Sequence, residues 1–332
     1  MTPASPRKLV VLTDNTVHPE AVDRLRARAR VRILDAYPAE ATLAQACREA
    51  DAILARLGVV TAGVLQAGSR LRIIACHGAG SDCVDLPAAT EHGIVVTTTG
   101  PANASAVAEY TFALLLGLLR KVPAADAAMR AGQWSRQPLI GARLEGRILG
   151  IVGCGAVGTR VARIAQGFGM DVLASKPGRP GAEPPPVPTL PLRALLVRAD
   201  IVSLHLRLTP RNAGIIDAAS IAAMKPGAVV VNTARGELVD EAALVAALTS
   251  GHLAGAALDT FAVEPLSPTS VLRRMPNVLL SPHVAGQTSD ALLQVGHAAV
   301  QAILQEFDGQ RPAFVVNPEA YAARRKTPDG SP

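Results

Sequence analysis

Arg147–Gly167 reads RILGIVGCGAVGTRVARIAQG, and its order decides the fold. An apolar run, ILGIV, leads into Gly153-Cys154-Gly155-Ala156-Val157-Gly158, a match to G-x-G-x-x-G, and a helical pattern follows at once. Strand, glycine turn and helix are the order a dinucleotide site requires. Gly153 permits the tight turn, Gly155 lets the backbone approach a pyrophosphate, and Gly158 lets the helix lie close on the strand. Free N–H groups at the helix start, from Ala156 and Val157 onward, then face the anion. With 28 glycines in the chain the letters alone mean little, so the flanking strand and helix carry the reading.

A dinucleotide unit commonly has an acid at the end of its second strand, where it holds the ribose hydroxyls. Here MDVLAS ends in Ser175 and runs into Lys176, with Arg179 close behind and no carboxylate. Cations suit a 2′-phosphate that an acid would repel, so NADP(H) is expected in preference to NAD(H).

Outward from this point, strand and helix patterns alternate in both directions. Upstream, KLVVLTD, RVRILDA, DAILARL, RLRIIACHG and IVVTTT read as strands, separated by helical stretches such as PEAVDRLRARA. Downstream, VLASK, DIVSLHLRL, GAVVVNTA, AGAALDTF and NVLLSPH continue the series. ASAVAEYTFALLLGLLR, from Ala104 to Arg120, predicts a long, largely buried helix between Pro101 and Pro123. Such alternation predicts an α/β protein with two doubly wound parallel-sheet domains. The proline-dense stretch from Lys176 to Pro191 reads as a semi-rigid loop, because the alternation resumes directly after it.

Composition excludes several classes. The 332 residues are 49% hydrophobic and 18% charged, which is incompatible with intrinsic disorder. The longest apolar stretch, YTFALLLGLL, falls well short of a membrane span. The N-terminus lacks a secretory h-region, so a cytoplasmic protein is expected. The net charge of +6 comes from scattered arginines, and one Trp, three Tyr and five Phe are too few for a base-stacking platform, so nucleic acid is not an expected partner. Cys47, Cys76, Cys83 and Cys154 contain no C-x-x-C pair and read as reduced thiols without a metal.

Three chemically apt residues fall beyond strand ends in the second half: Arg235 after VVVNTA, Glu264 after AALDTF, and His283 at the close of VLLSPH. Ligands in open α/β sheets bind at that edge. Reduction of a 2-oxo acid needs a cation to fix and polarise the substrate, a proton donor for the carbonyl oxygen, and a hydride from a nicotinamide. Arg235 suits the first task and His283 the second, with Glu264 to orient the ring and favour its charged form.

At this point the resemblance becomes specific. GCGAVG, NTARGELVDEAAL, GAALDTFAVEPL and NVLLSPHVAG, together with the upstream HGAGSDCVDLPAATEHGIVVTTTGPANASAVAEY, resemble the successive signatures of the D-isomer-specific 2-hydroxyacid dehydrogenase family, from about Ile53 to Asn317. The resemblance implies a flavodoxin-like substrate domain, residues 1–102 plus 288–332, and a Rossmann cofactor domain, residues 103–287. It implies that Arg235, Glu264 and His283 are catalytic and that backbone N–H groups at Ala79 and Gly80 hold the substrate carboxylate. Thr233, Asp259, Gly286 and Val107 are implied near the nicotinamide, and a homodimer is implied with the 104–120 helix near its contact. Arg207 stands where the family commonly has proline, and it leaves the contacts there open. The expected activity is NAD(P)H-dependent reduction of a small 2-oxo acid such as glyoxylate or hydroxypyruvate. Two alternatives stay open. One is a phosphoglycerate-type dehydrogenase, for which Arg56 is the obvious cation and the chain shows no room for an added regulatory domain; the other is a dinucleotide-sensing corepressor or scaffold.

Overall fold

The structure is a computed structural model that describes residues 7–175 and 186–324. The chain divides into two compact units, one of residues 1–103 and 288–332 and the other of residues 104–287.

The first unit opens with four β/α repeats and a fifth strand. In chain order these are β1 (Leu9–Leu12), α1 (Pro19–Arg26), β2 (Arg30–Ile33), α2 (Glu40–Cys47), β3 (Ala52–Ala55), α3 (Ala62–Ala67), β4 (Ile73–Cys76), α4 (Leu86–Glu91) and β5 (Val95–Thr97). All pairings are parallel, in the order β2-β1-β3-β4-β5, which is the flavodoxin-like arrangement with its crossover reversal between β1 and β3. Four of the strands are buried throughout because helices cover both faces, and three of these are uninterrupted apolar runs. The edge strand β2 carries arginines and is largely exposed. Alternate side chains serve opposite faces. Val11, Ile53, Ile74 and Val96 pack with α2, α3 and α4, while Val10, Leu12, Leu54 and Ile73 face α1.

The second unit begins with α5 (Ala104–Leu119) and α6 (Val122–Arg130), the latter a helix that the sequence reading did not predict. Pro123 sits in its first turn, so the proline that ends one helix opens the next. Then follow β6 (Ile148–Val152), α7 (Ala156–Gly167), β7 (Asp171–Ser175), α8 (Leu192–Arg198), β8 (Ile201–Leu204), α9 (Ala218–Ala222), β9 (Ala228–Asn232), α10 (Glu241–Ser250), β10 (Leu253–Leu258) and β11 (Val278–Leu280). The six strands are parallel in the order β11-β10-β9-β8-β6-β7. Thr189 adds a parallel bridge to Ala174 on the outer side of β7, so the third strand position in chain order lies outermost, as in dinucleotide-binding sheets. One face of the sheet packs α5 and α7, and the other packs α8, α9 and α10. The strands are shorter than their apolar runs suggest. β8 stops at Leu204 and β10 at Leu258, which leaves the following residues as loops at the carboxyl edge.

The chain then returns to the first unit. α11 (Ser289–Phe307), capped by Thr288, packs Ala299, Val300 and Ile303 against the α1 face of the first sheet. Asn317, before α12 (Ala320–Ala323), accepts from Val96 N at 2.7 Å and donates to Ile94 O and Thr90 Oγ1. Buried Glu306 pairs with Arg72 and Arg324. Polar closure at these points ties the C-terminal segment into the first unit, and the division falls at Asn103/Ala104 on one side and Gln287/Thr288 on the other. No described helix is long and apolar enough to cross a membrane.

Candidate active site

The three glycines of the fingerprint have distinct physical reasons. Gly153 has φ +96°, and a Cβ there would lie 2.8 Å from the His205 backbone; its N–H donates to Ser175 O at 2.8 Å. Gly158 would place a Cβ 2.3 Å from Gly153 O, so any side chain would lift α7 off β6. A Cβ on Gly155 would meet nothing within 4 Å, leaving open space directly at the start of α7. Gly155 is the N-cap without a side-chain cap, and the amides of Ala156, Val157 and Gly158 stand in the first turn, which has no intrahelical acceptor. An open cradle of unpaired amides at a helix N-terminus fits a pyrophosphate. Ser175 is buried at the end of β7. Lys176 and Arg179 lie outside the described residues.

Arg235, Glu264 and His283 leave the carboxyl edge after β9, β10 and β11. His283 Nδ1 and Glu264 Oε2 are 2.8 Å apart, and Glu264 Oε1 accepts from Phe261 N at 3.0 Å. Both side chains stay accessible, at 48% for His283 and 37% for Glu264. With Nδ1 engaged, Nε2 is the ring nitrogen left without a partner among the described residues. Partial burial penalises the Glu264 carboxylate. The His283 hydrogen bond and charge, the Phe261 amide and the nearby Arg235 cation outweigh that penalty and hold its pKa below the usual value. Glu264 is therefore an anion at neutral pH, with the imidazole on one side and a guanidinium close by.

Backbone clamps hold the three side chains. Buried Asn232, the last residue of β9, donates to Arg235 O at 2.8 Å and accepts from Ala234 N at 3.0 Å. Gly236 lies so close to the next loop that a Cβ would fall 1.9 Å from Phe261 C and 2.2 Å from Ala262 N. That contact brings the Arg235 loop against the segment leading to Glu264. His283 has φ +53°, an uncommon conformation for a residue with a side chain, and its N–H donates to Asp259 O at 2.8 Å. The fully buried Asp259 carboxylate accepts from Ser281 Oγ at 2.6 Å and from the amides of Val284 and Ala285, each at 2.9 Å. Asp259 thus anchors the turn that presents His283 and leads to Gly286. Thr233 Oγ1 lies 3.0 Å from Thr111 Oγ1, and Thr111 donates to Val107 O, so these two positions share one buried hydroxyl chain.

The second unit therefore brings together Arg235, Glu264 and His283, with Asp259 behind them, and links Thr233 to Val107. Sequence reasoning missed Asn232, Gly236 and Thr111. Their signals were slight: a polar residue closing the apolar run VVVN, a glycine directly after the arginine, and a threonine inside an apolar helix. In the first unit, Ala79 and Gly80 follow β4, and neither amide has a backbone acceptor among the described residues. Arg56 reaches Thr16 O at 2.7 Å and the buried Asp14 at 3.6 Å. No group of three His, Cys, Asp or Glu among the described residues is arranged to hold a metal ion.

A family model described as the NAD binding domain of D-isomer specific 2-hydroxyacid dehydrogenases matches residues 112–285. The chain belongs to that family. The chain is 37% identical to glyoxylate reductase of Aeropyrum pernix, over 95% of this chain and 98% of the relative. It is 39% identical to D-3-phosphoglycerate dehydrogenase of Mycobacterium tuberculosis, over 93% of this chain but 58% of the relative, and so spans little more than half of that protein. Among solved structures it resembles an NADPH-dependent glyoxylate/hydroxypyruvate reductase from Sinorhizobium meliloti in complex with NADP and malonate, with a TM-score of 0.85 and 29% identity over 97% of this chain and 99% of that one. The family membership agrees with the reading from motifs, and the two parallel-sheet α/β units agree with the expected fold class.

Proposed function

We propose that the protein reduces a small 2-oxo acid, of the glyoxylate or hydroxypyruvate kind, reversibly to the D-2-hydroxy acid with NADPH in preference to NADH. The observation that carries this reading is the His283–Glu264 pair, with Nδ1 engaged at 2.8 Å, Nε2 left for a substrate, and the Arg235 charge beside it. Arg235 forks onto the substrate carboxylate and carbonyl, drawing electron density from the carbonyl carbon. The amides of Ala79 and Gly80 would also take the substrate carboxylate. His283 Nε2 donates its proton to the carbonyl oxygen during reduction and takes it back during oxidation. Glu264 keeps the ring oriented. The nicotinamide cofactor, when bound, supplies the hydride.

The amides of Gly155, Ala156, Val157 and Gly158 would hold the pyrophosphate, with Gly153 shaping the turn. Ser175, Lys176 and Arg179 would meet the adenosine ribose and its 2′-phosphate, and Thr233, Asp259, Gly286 and Val107 would border the nicotinamide. The absence of an acid after β7 supports NADPH, as does the NADP complex of the Sinorhizobium relative. The unit of residues 1–102 and 288–332 would serve the substrate and that of 103–287 the cofactor, in a cytoplasmic homodimer. A phosphoglycerate-type activity is the second reading, favoured by the 39% identity to the mycobacterial enzyme. The Arg56 guanidinium, already bonded to Thr16 O and close to Asp14, speaks for the unphosphorylated substrate.

The test is a panel of 2-oxo acids with both cofactors, with 3-phosphoglycerate and oxidised cofactor as a further arm. Turnover of glyoxylate or hydroxypyruvate is expected, and His283→Ala should lower kcat by roughly 10²–10⁴-fold. Absence of turnover with every 2-oxo acid, or full activity in the His283→Ala variant, overturns the reading; fastest turnover with 3-phosphoglycerate selects the second one.

A further inference from the structure

Cys76 closes β4 and Cys83 lies beyond the loop that carries Ala79 and Gly80. The two side chains share one apolar cluster, with Cys76 buried within it and Cys83 packed at its edge and partly accessible. They are hydrogen-bonded thiol to thiol, and that contact, with burial behind it, raises the Cys76 pKa well above the ordinary thiol value. The backbone on both sides is pinned. His77 N donates to Ala55 O at 2.7 Å, Gly78 N to Cys76 O at 2.9 Å, and Thr99 N to Gly78 O at 2.9 Å. On the far side Val60 N donates to Cys83 O at 2.7 Å, and Val84 forms a parallel bridge with Val60. Anchored ends hold the sulfurs together through the fold. Cys47 is buried elsewhere in that same cluster, on α2, and Cys154 is buried in the second unit, where its Sγ lies 3.8 Å from Thr159 Oγ1.

We propose that Cys76 and Cys83 form a reversible dithiol/disulfide pair that closes the loop 77–82 on oxidation by hydrogen peroxide. Cys83, the accessible member, reacts first. Its sulfur attacks one oxygen of the peroxide, the O–O bond breaks, and a sulfenic acid and one water result. Cys76 then attacks the Cys83 sulfur. The S–S bond forms, the S–O bond breaks, and the hydroxide leaves as a second water with the Cys76 proton. Two thiols have lost two electrons and two protons to one peroxide. A dithiol reductant returns them through a mixed disulfide. Moving from thiol contact to a bond of about 2.05 Å draws Cys83 toward β4 and reshapes the turn between them.

The functional consequence rests on the proposed role of Ala79 and Gly80: a reshaped loop misplaces the amides that receive the substrate carboxylate, so the oxidised enzyme has a raised KM for the 2-oxo acid. The experiment separates the two claims. Native protein is treated with hydrogen peroxide, blocked with iodoacetamide and cleaved before aspartate, which places Cys76 in the peptide Asp51–Ser81 and Cys83 in Asp82–Val84. The two peptides should be recovered joined, separate after dithiothreitol, and never be joined in Cys83→Ser. In parallel, oxidised wild type should show a KM at least roughly fivefold higher, reversed by dithiothreitol, while Cys83→Ser keeps its KM through the treatment. Peptides that stay separate in oxidised, folded wild type overturn the pair. A joined pair with unchanged KM overturns its effect on the loop. Joined peptides in a protein whose reduced form turns over no 2-oxo acid uphold the pair and overturn the activity instead.

Discussion

Single side chains set the chemistry. Partial burial opposes the Glu264 charge, and the His283 contact at 2.8 Å, the Phe261 amide and the Arg235 charge outweigh it and hold the Glu264 pKa below its ordinary value. Glu264→Gln removes the anion that orients the ring and should lower kcat for reduction by roughly 10-fold or more, with NADPH binding nearly intact in fluorescence titration. An unchanged kcat would show that Glu264 only packs. The same depressed pKa makes a stability statement. This contribution is present above the ordinary glutamate pKa and fades as pH falls through the lower folded value, so acid weakens the loop before neutral pH does. Cofactor choice belongs to this scale as well. A charge-assisted contact to a phosphate contributes about 1.5–3 kcal/mol, so Lys176→Asp should move the NADPH/NADH ratio of kcat/KM by roughly 10–100-fold toward NADH. An unmoved ratio would leave Lys176 as a solvated surface cation.

Elements convert those side chains into a site, and they do so where backbone meets backbone. Gly158 and Gly236 are two of the tightest joints. The first sets α7 against the turn after β6, and the second sets the Arg235 loop against residues 261–262. Gly158→Ala should cost about 1–3 kcal/mol in thermal unfolding and weaken NADPH binding in fluorescence titration, because the helix start that faces the pyrophosphate moves with the clash. Gly236→Ala should leave NADPH binding nearly intact and raise KM for the 2-oxo acid, since it displaces Arg235. Equal losses of cofactor and substrate affinity in both variants would mean general unfolding instead. The fingerprint was legible in the sequence because G-x-G-x-x-G between an apolar run and a helical pattern has one local solution. Gly236 was not, because its need for a missing Cβ comes from residues some 25 positions later, which no local pattern encodes. Asp259 falls between these cases. The family resemblance marked it, but only the folded chain shows a buried carboxylate tied to Ser281, Val284 and Ala285.

At the scale of the whole molecule, the second unit exposes large apolar side chains that its own core does not use. α6 has no buried residue, Trp134 is 75% exposed and Ile140 67%, with Val122 and Met129 also largely exposed. Exposed apolar side chains of this size are what a protein interface would cover, and the proposed homodimer would bury them against a second copy of the chain. Wild type should sediment as two chains, and Trp134→Asp combined with Ile140→Asp should sediment as one with its fold retained. A wild type that sediments as one chain would remove the dimer.

The α/β-alternating apolar pattern and the glycine spacing determined by themselves that this is a protein of two doubly wound parallel sheets with a dinucleotide turn, because hydrophobic period and glycine spacing are local properties of the chain. They also marked Arg235, Glu264 and His283 by residue type beyond strand ends. Only the tertiary structure decided that Nδ1 of His283 meets Glu264, that Arg56 is occupied by Thr16 and Asp14, and that Cys76 and Cys83 face each other. Those outcomes depend on strand order and on which loops the sheet edge brings into contact. Strand order is a long-range choice made by packing both faces of each sheet at once, and a one-dimensional pattern cannot carry it.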